Sequence, residues 1–403
     1  MKTSDYYLEL EERYGAHNYH PLPVVISRGK GVFVWDTKGR RYYDFLSAYS
    51  AVNQGHCHPA IVDTFIKQAG RLTLTSRAFY NDKLGEFEEY ITRLFGYDKV
   101  LPMNTGVEAV ESAIKLCRKW AYEVKGVPEN EAIIVVCEQN FHGRTTGVIS
   151  FSSDDEARRN FGPFMPGFLR IPYNDLAALD RALQDKNVAG FLVEPIQGEA
   201  GVIVPDKGYL AGAKKRCEER GVLLIADEIQ TGLCRTGKML CCDYEGIRPD
   251  ILLLGKALSG GMMPVSAILA NNEIMLVIKA GQHGSTYGGN PLAAAVSLIA
   301  LKVLQEEHMA ENASRLGDRF RAGLEQLSSP HIKEIRGKGL MNAIEISSED
   351  PQAAWGLCLS LKEKGLLAKP THGNKIRLAP PLCITDDQID ESITMIGTAL
   401  SEI

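Results

Sequence analysis

Residues Gly221 to Gly261 read GVLLIADEIQTGLCRTGKMLCCDYEGIRPDILLLGKALSGG. Two short apolar runs, Val222 to Ala226 and Ile251 to Leu254, are each bounded by turn residues. Runs of that length and composition read as fully buried strands of a parallel sheet. Asp227 follows the first run and Lys256 follows the second. In open α/β sheets ligands bind outside the carboxyl ends of the strands, so both ionisable groups are expected at a binding crevice. A lysine and a carboxylate meeting there suit pyridoxal 5′-phosphate, which needs an amine for its Schiff base and an acidic partner for its ring nitrogen. A buried Lys/Asp ion pair with only a structural role has the same spacing.

The flanking residues separate these readings. ADEIQTG, followed by LLLGKALSGG, resembles the class III (omega) aminotransferases, which are fold-type-I pyridoxal phosphate enzymes. The resemblance runs over essentially the whole chain. It implies an α/β protein with a large domain, built on a mostly parallel central sheet flanked by helices, and a small α+β C-terminal domain. An N-terminal segment is appended. Along this sequence those parts fall at residues 1–49, 50–308 and 309–403. Asp227 and Lys256 then become the catalytic pair, with Ile229 against one face of the cofactor ring and Gln230 at its hydroxyl.

Composition sets the outer bounds. A chain of 403 residues, 45% hydrophobic, can bury a large core. With 45 Lys+Arg against 50 Asp+Glu and no long like-charge block, nothing favours nucleic acid or a membrane surface as partner. Nine cysteines are scattered without C-x-x-C or other metal-ligand spacing, which fits a reducing compartment and thiols used as small hydrophobes. MKTSDYYLELEERYG lacks the features of a signal or transit peptide. No segment has the length of a membrane span, so a cytoplasmic protein is expected, or a mitochondrial matrix protein after loss of a presequence.

Before residue 50, Tyr6 to Tyr14 suggest a short helix, and Val32 to Trp35 with Arg41 to Phe45 a hairpin about Asp36-Thr37-Lys38-Gly39. Tyr19 and Tyr49 are ordinary half-buried packing residues on sequence alone. By resemblance, Tyr19 in GAHNYHP holds a substrate α-amino group and Tyr49 lines the same pocket. His56 and His58 have the alternate spacing of metal ligands, but further ligands are not near, and satisfied turn histidines are the simpler reading.

In PMNTGVEAVESAIKLCRKW, Thr105 and Glu108 form a capping box, and Val107, Val110, Ile114 and Cys117 share one helical face. Free amides at such a helix start can receive a phosphate. The resemblance gives this role to Gly106 and Val107. It also places Phe141 on the ring and Arg144 on a substrate carboxylate, a task suited to a guanidinium fork. At His142 the ornithine-using branch carries a second aromatic, whereas other class III members carry histidine.

The remaining implied residues concern substrate exchange. Glu199 in QGEAG would pair with Arg377 in NKIRLAPP and mask it while a diamine is bound, then swing aside so that Arg377 can take the carboxylate of a diacid. Ser285 and Thr286, in the Gly-rich turn HGSTYGGNP, would reach the phosphate of a neighbouring subunit's cofactor, which implies a homodimer. The implied substrates are L-ornithine, through its δ-amino group, and 2-oxoglutarate. Class III enzymes that use acetylornithine or 4-aminobutyrate are alternatives, as is an aminomutase of glutamate-1-semialdehyde or a catalytically silent scaffold subunit. Tyr19 argues against acetylornithine, whose α-nitrogen is acylated. In the C-terminal part, Leu316, Phe320, Leu324 and Leu327 share a helical face, and Thr385 with Gln388 caps a final helix bearing Ile389, Ile393, Ile396 and Leu400.

Overall fold

The computed structural model describes residues 3–402. Its strands in chain order are β1 (Ile26–Lys30), β2 (Phe33–Asp36), β3 (Arg41–Asp44), β4 (Lys99–Met103), β5 (Ile133–Cys137), β6 (Phe168–Ile171), β7 (Val188–Val193), β8 (Leu223–Asp227), β9 (Ile251–Leu254), β10 (Ser266–Ala270), β11 (Ile332–Lys338), β12 (Met341–Ile346), β13 (Leu366–Leu367), β14 (Lys369–Pro370) and β15 (Lys375–Leu378).

A seven-stranded sheet in the order β4-β10-β9-β8-β7-β5-β6 forms the centre. Only β10 runs against its neighbours; β6, β5, β7, β8 and β9 are parallel. Every residue of β7, β8, β9 and β10 is buried. Both faces are covered, which is why these strands read as unbroken apolar runs and not as alternating ones. Alternation survives in the packing. Leu223 and Ile225 face the core that contains Ile114 and Leu116 of helix Gly106–Trp120, while Leu224 faces the core around Leu210 and Cys217 of helix Tyr209–Glu219. Complete burial of a side chain such as Ile225 contributes roughly 1.5–3 kcal/mol.

The hairpin expected before residue 50 is present, with Phe33 opposite Tyr43 and Trp35 opposite Arg41. It is wider than the sequence suggested. β1 adds a third strand, and β13 pairs parallel to β3 from more than three hundred residues away. Phe45 and Phe320, both fully buried with ring centroids 5.7 Å apart, join this first sheet to the C-terminal helix Met309–Gln326. A third, antiparallel sheet runs β11-β12-β15-β14 and carries Arg377.

The caps follow the sequence closely. Thr105 Oγ1 accepts the Glu108 amide at 3.4 Å and Glu108 Oε2 accepts the Thr105 amide at 2.7 Å. Thr385 and Gln388 make the same reciprocal pair. His56 and His58 are each held by a separate carboxylate, Asp44 at 2.7 Å and Glu307 at 2.8 Å. Of the nine cysteines Cys57 is exposed and Cys383 half-buried; the others are buried, and burial holds the Cys241 and Cys242 thiols far from ionisation. No described helix is long and apolar enough to cross a membrane.

Candidate active site

Asp227 is the last residue of β8 and is buried. Its Oδ1 accepts the Ile229 amide at 3.1 Å, and its Oδ2 accepts a hydrogen bond from His142 Nδ1 at 2.7 Å. Burial alone would lower the His142 pKa, but the hydrogen bond and the negative charge of Asp227 outweigh it and raise the imidazole above its ordinary value. The other ring nitrogen, Nε2, is buried without a partner. The carboxylate is therefore fixed in orientation by a charge-assisted bond from behind.

Lys256 lies one residue beyond Gly255, which follows β9, and opens a short turn. Its φ of 44° puts a non-glycine residue in the left-handed region, a strain of the kind found where a side chain must be aimed at a site. Burial depresses the Lys256 pKa, with Glu199 and Asp227 opposing that shift and Arg377 adding to it. An amine so placed is closer to its neutral, nucleophilic form than a surface lysine.

These groups meet in a cavity of about 260 Å³. Gly106 and Val107 line it from the free amide end of helix Gly106–Trp120. Phe141 and Ile229 line it with apolar surface, and Gln230 lies at the same wall. Gly106 packs closely on Ile229: a Cβ there would stand 3.3 Å from two of its side-chain carbons. Gly198 is more tightly constrained, since a Cβ would fall 1.5 Å from Gln230 Oε1. An amine, a carboxylate braced by histidine, a helix start and two apolar walls fit pyridoxal phosphate: Lys256 for its aldehyde, Asp227 for its ring nitrogen, Gly106 and Val107 for its phosphate.

Of the substrate candidates Arg144 lines the cavity itself, and Glu199 and Arg377 stand near enough for their charges to act on Lys256. Arg377 Nη1 donates to Glu199 Oε1, while the buried Nε of Arg377 has no partner. Burial works against the Glu199 carboxylate, but the charge and hydrogen bond of Arg377 hold its pKa below the ordinary value. The Arg377 guanidinium stands 4.9 Å from the Tyr49 ring centroid. Tyr49 belongs to a run, Ser47 to Ser50, in which all four residues have positive φ. Such a left-handed turn costs roughly 1–2 kcal/mol per residue, and it brings the Tyr49 carbonyl to Gln230 Nε2 at 3.4 Å. Tyr19 is largely exposed, with Lys369 Nζ 5.7 Å from its ring centroid. Arg144 lines the cavity at 5.5 Å over the Phe141 ring, and no carboxylate pairs with it among the described residues.

Ser285 and Thr286 stand apart from this group. Ser285 Oγ accepts from Asn104 Nδ2 at 2.8 Å, next to the helix start, whereas Thr286 is exposed and lines no part of the chain's own cavity.

Two functional side chains were not singled out for what they do. His142 stood out only as a departure from an aromatic, yet it braces Asp227. Glu194, immediately after β7, lines the cavity and accepts the Phe141 amide at 2.9 Å and the Gly198 amide at 3.4 Å. It ties the loop that carries Phe141 and Arg144 to the loop that carries Glu199. Burial, with the nearby charge of Asp227, pushes its pKa up to about 7 although His142 opposes the shift. The available signal was position: Glu194 ends a buried strand just as Asp227 does.

Comparison with known proteins agrees with this architecture. Residues 14–400 match the family Aminotransferase class-III, and the chain belongs to that family, whose cofactor is pyridoxal phosphate. Among individual relatives, the mitochondrial ornithine aminotransferase of Rattus norvegicus is 60% identical over 398 residues, 99% of this chain and 91% of that protein. The crystal structure of ornithine aminotransferase from Toxoplasma gondii superposes with a TM-score of 0.97 at 50% identity, covering 100% of this chain and 96% of that one. Acetylornithine aminotransferase from Elizabethkingia anophelis superposes with a TM-score of 0.92 at 58% identity, covering 100% of both chains.

Proposed function

We propose that the protein is a pyridoxal-phosphate-dependent ornithine δ-aminotransferase. It moves the δ-amino group of L-ornithine to 2-oxoglutarate, giving glutamate and glutamate-5-semialdehyde, which cyclises to pyrroline-5-carboxylate. The observation that carries this reading is the Glu199–Arg377 pair beside Tyr49, close enough to the cavity of Lys256 and Asp227 that both charges act on the Lys256 amine. A site that must take a diamine and then a diacid needs an arginine whose charge can be covered and uncovered, and this pair supplies one.

When bound, pyridoxal phosphate supplies an aldehyde that accepts an amine and a ring that withdraws electrons. The chain's own residues do the rest. Lys256 Nζ, whose pKa burial lowers, takes the proton from the δ-carbon of ornithine and returns one in the second half-reaction. Asp227, braced by His142, keeps the ring nitrogen protonated. Phe141 and Ile229 would cover the bound ring with apolar surface and exclude water from it. Arg144 holds the ornithine carboxylate and Tyr19 its α-amino group, so that only the δ-amino end reaches Lys256. In the other half-reaction Arg377, freed from Glu199, binds the α-carboxylate of 2-oxoglutarate.

Acetylornithine use is the second reading, because one close structural neighbour carries that name. An acylated α-nitrogen gives Tyr19 no ammonium to hold, which favours ornithine. Ser285 and Thr286, lying outside their own cavity, fit a homodimer in which each subunit completes its partner's phosphate site. Replacing Lys256 by Ala tests the assignment. Ornithine-dependent glutamate formation is expected to vanish while the far-ultraviolet spectrum is kept, and ordinary turnover by that variant would overturn it.

A further inference from the structure

The Glu199–Arg377 pair raises a question of charge balance that rests on the function proposed above. When a diacid takes Arg377, the Glu199 carboxylate loses its cation but stays in a half-buried position. An uncompensated charge there is costly, so the swing requires a second cation within the reach of a glutamate side chain.

Lys375 is the candidate, because it lines the same cavity as Glu199. It lies two residues before Arg377 on β15, so the two side chains leave the same face of the strand. Its stem packs on the Glu199 loop: a Cβ on Gly201 would come within 2.5 Å of Lys375 Cδ. The loop and the strand are tied at both ends of this contact. Thr371 Oγ1 donates to the Glu199 carbonyl at 2.6 Å, and the Thr371 amide donates to the Lys375 carbonyl at 2.8 Å. Lys375, Glu199 and Arg144 line one cavity of about 340 Å³, which lies outside the Lys256 chamber and shares the Phe141 to Arg144 wall with it. Among the described residues no carboxylate pairs with the Lys375 ammonium. Arg336 also approaches Gly201, but Glu334 and Glu345 already take its charge.

We infer that Lys375 is the resting partner of Glu199 in the diacid-binding state. Glu199 exchanges one cation for another on the same strand face, Arg377 while ornithine is bound and Lys375 while 2-oxoglutarate is bound. Lys375 is thus a positioning residue that sets the balance between the two substrates without touching either.

The test is to measure the two half-reactions separately, by single turnover, in the cofactor-loaded wild type, Lys375→Met, Lys375→Arg, Glu199→Gln and the double variant Lys375→Met with Glu199→Gln. A partly exposed ion pair supports an expectation of about a fivefold rise in the half-saturating 2-oxoglutarate concentration for Lys375→Met, with its limiting rate kept. The ornithine half-reaction should be unaffected, and Lys375→Arg should restore diacid binding. In the Glu199→Gln background the Lys375→Met change should have no effect, because no charge remains to be received. Unaltered 2-oxoglutarate saturation in Lys375→Met would overturn the inference. So would a loss that persists in the Glu199→Gln background, which would make Lys375 a direct attractor of the diacid. Failure of the wild type to react with ornithine at all would be a different result, removing the functional reading itself.

Discussion

His142 Nδ1 donates to Asp227 Oδ2 across 2.7 Å, inside a wall where both side chains are almost wholly buried. The bond holds the Asp227 carboxylate in one orientation at the cavity wall, together with the Ile229 amide on its other oxygen. Replacing His142 with Phe leaves that carboxylate without its imidazole donor. Hydrogen bonds to charged groups are worth roughly 1.5–3 kcal/mol, so a fall of about tenfold or more in the rates of both half-reactions is expected. Stopped-flow measurement of each half-reaction checks this, and a change confined to one substrate would show that His142 acts elsewhere.

In the function proposed above, Tyr19 sets the choice of donor. With Tyr19→Ile the α-ammonium of ornithine loses its phenol, while 4-aminobutyrate, which has no second amine, loses nothing. The ratio of kcat/KM for ornithine over 4-aminobutyrate should fall by about tenfold or more. A ratio equal to that of the wild type would remove Tyr19 from substrate recognition.

Arg235 holds three parts of the chain together. It is fully buried, and its guanidinium reaches Asn53 Oδ1 at 2.6 Å, the Leu340 carbonyl at 3.0 Å and the Pro380 carbonyl at 2.6 Å. Burial lowers its pKa to about 9. A lysine cannot span these acceptors with one ammonium group. Arg235→Lys should cost about 3 kcal/mol of stability, read from urea unfolding, since buried acceptors are left unpaired. Wild-type stability in that variant would contradict this.

The pH dependence follows from Glu194. Its pKa is about 7 in the fold, where burial raises it from an ordinary 4.5. As pH rises from 4.5 to 7 the unfolded chain releases this proton first, so the native state binds more protons and stability falls with rising pH across that window. The full effect is roughly 3 kcal/mol at about 1.4 kcal/mol per pKa unit. Glu194→Gln has no such proton to lose. In cofactor-free protein the stability of Glu194→Gln relative to wild type should therefore be higher at pH 8 than at pH 5, by urea unfolding at both. A difference independent of pH would place the Glu194 pKa near its ordinary value.

Much of this architecture was legible because its signals are local. The runs that became β8 and β9 are bounded by turn residues, and the two capping boxes are four-residue patterns whose hydrogen bonds close within themselves. Strand ends placed Asp227 and Lys256 together for the same reason. What stayed hidden depends on distant partners. The pairing of β3 with β13 links residues more than three hundred apart and involves only two residues on one side. Arg235 sits in CRTGK, and its partners Asn53, Leu340 and Pro380 all lie more than a hundred residues away. The left-handed run Ser47 to Ser50 contains no glycine, so nothing in its composition announces it. His142 and Glu194 acquire their roles only when β5, β7 and β8 stand side by side.

In the proposed function one cavity, using Lys256, runs an ornithine half-reaction and a 2-oxoglutarate half-reaction in turn. The direct measurement is the visible absorption of the protein loaded with pyridoxal phosphate, recorded after L-ornithine alone and again after 2-oxoglutarate, with N-acetylornithine and 4-aminobutyrate in parallel. Ornithine is expected to remove the visible band and 2-oxoglutarate to restore it, with the other two amines acting far more weakly. Persistence of the band with ornithine, or its faster loss with N-acetylornithine, would contradict the proposed function.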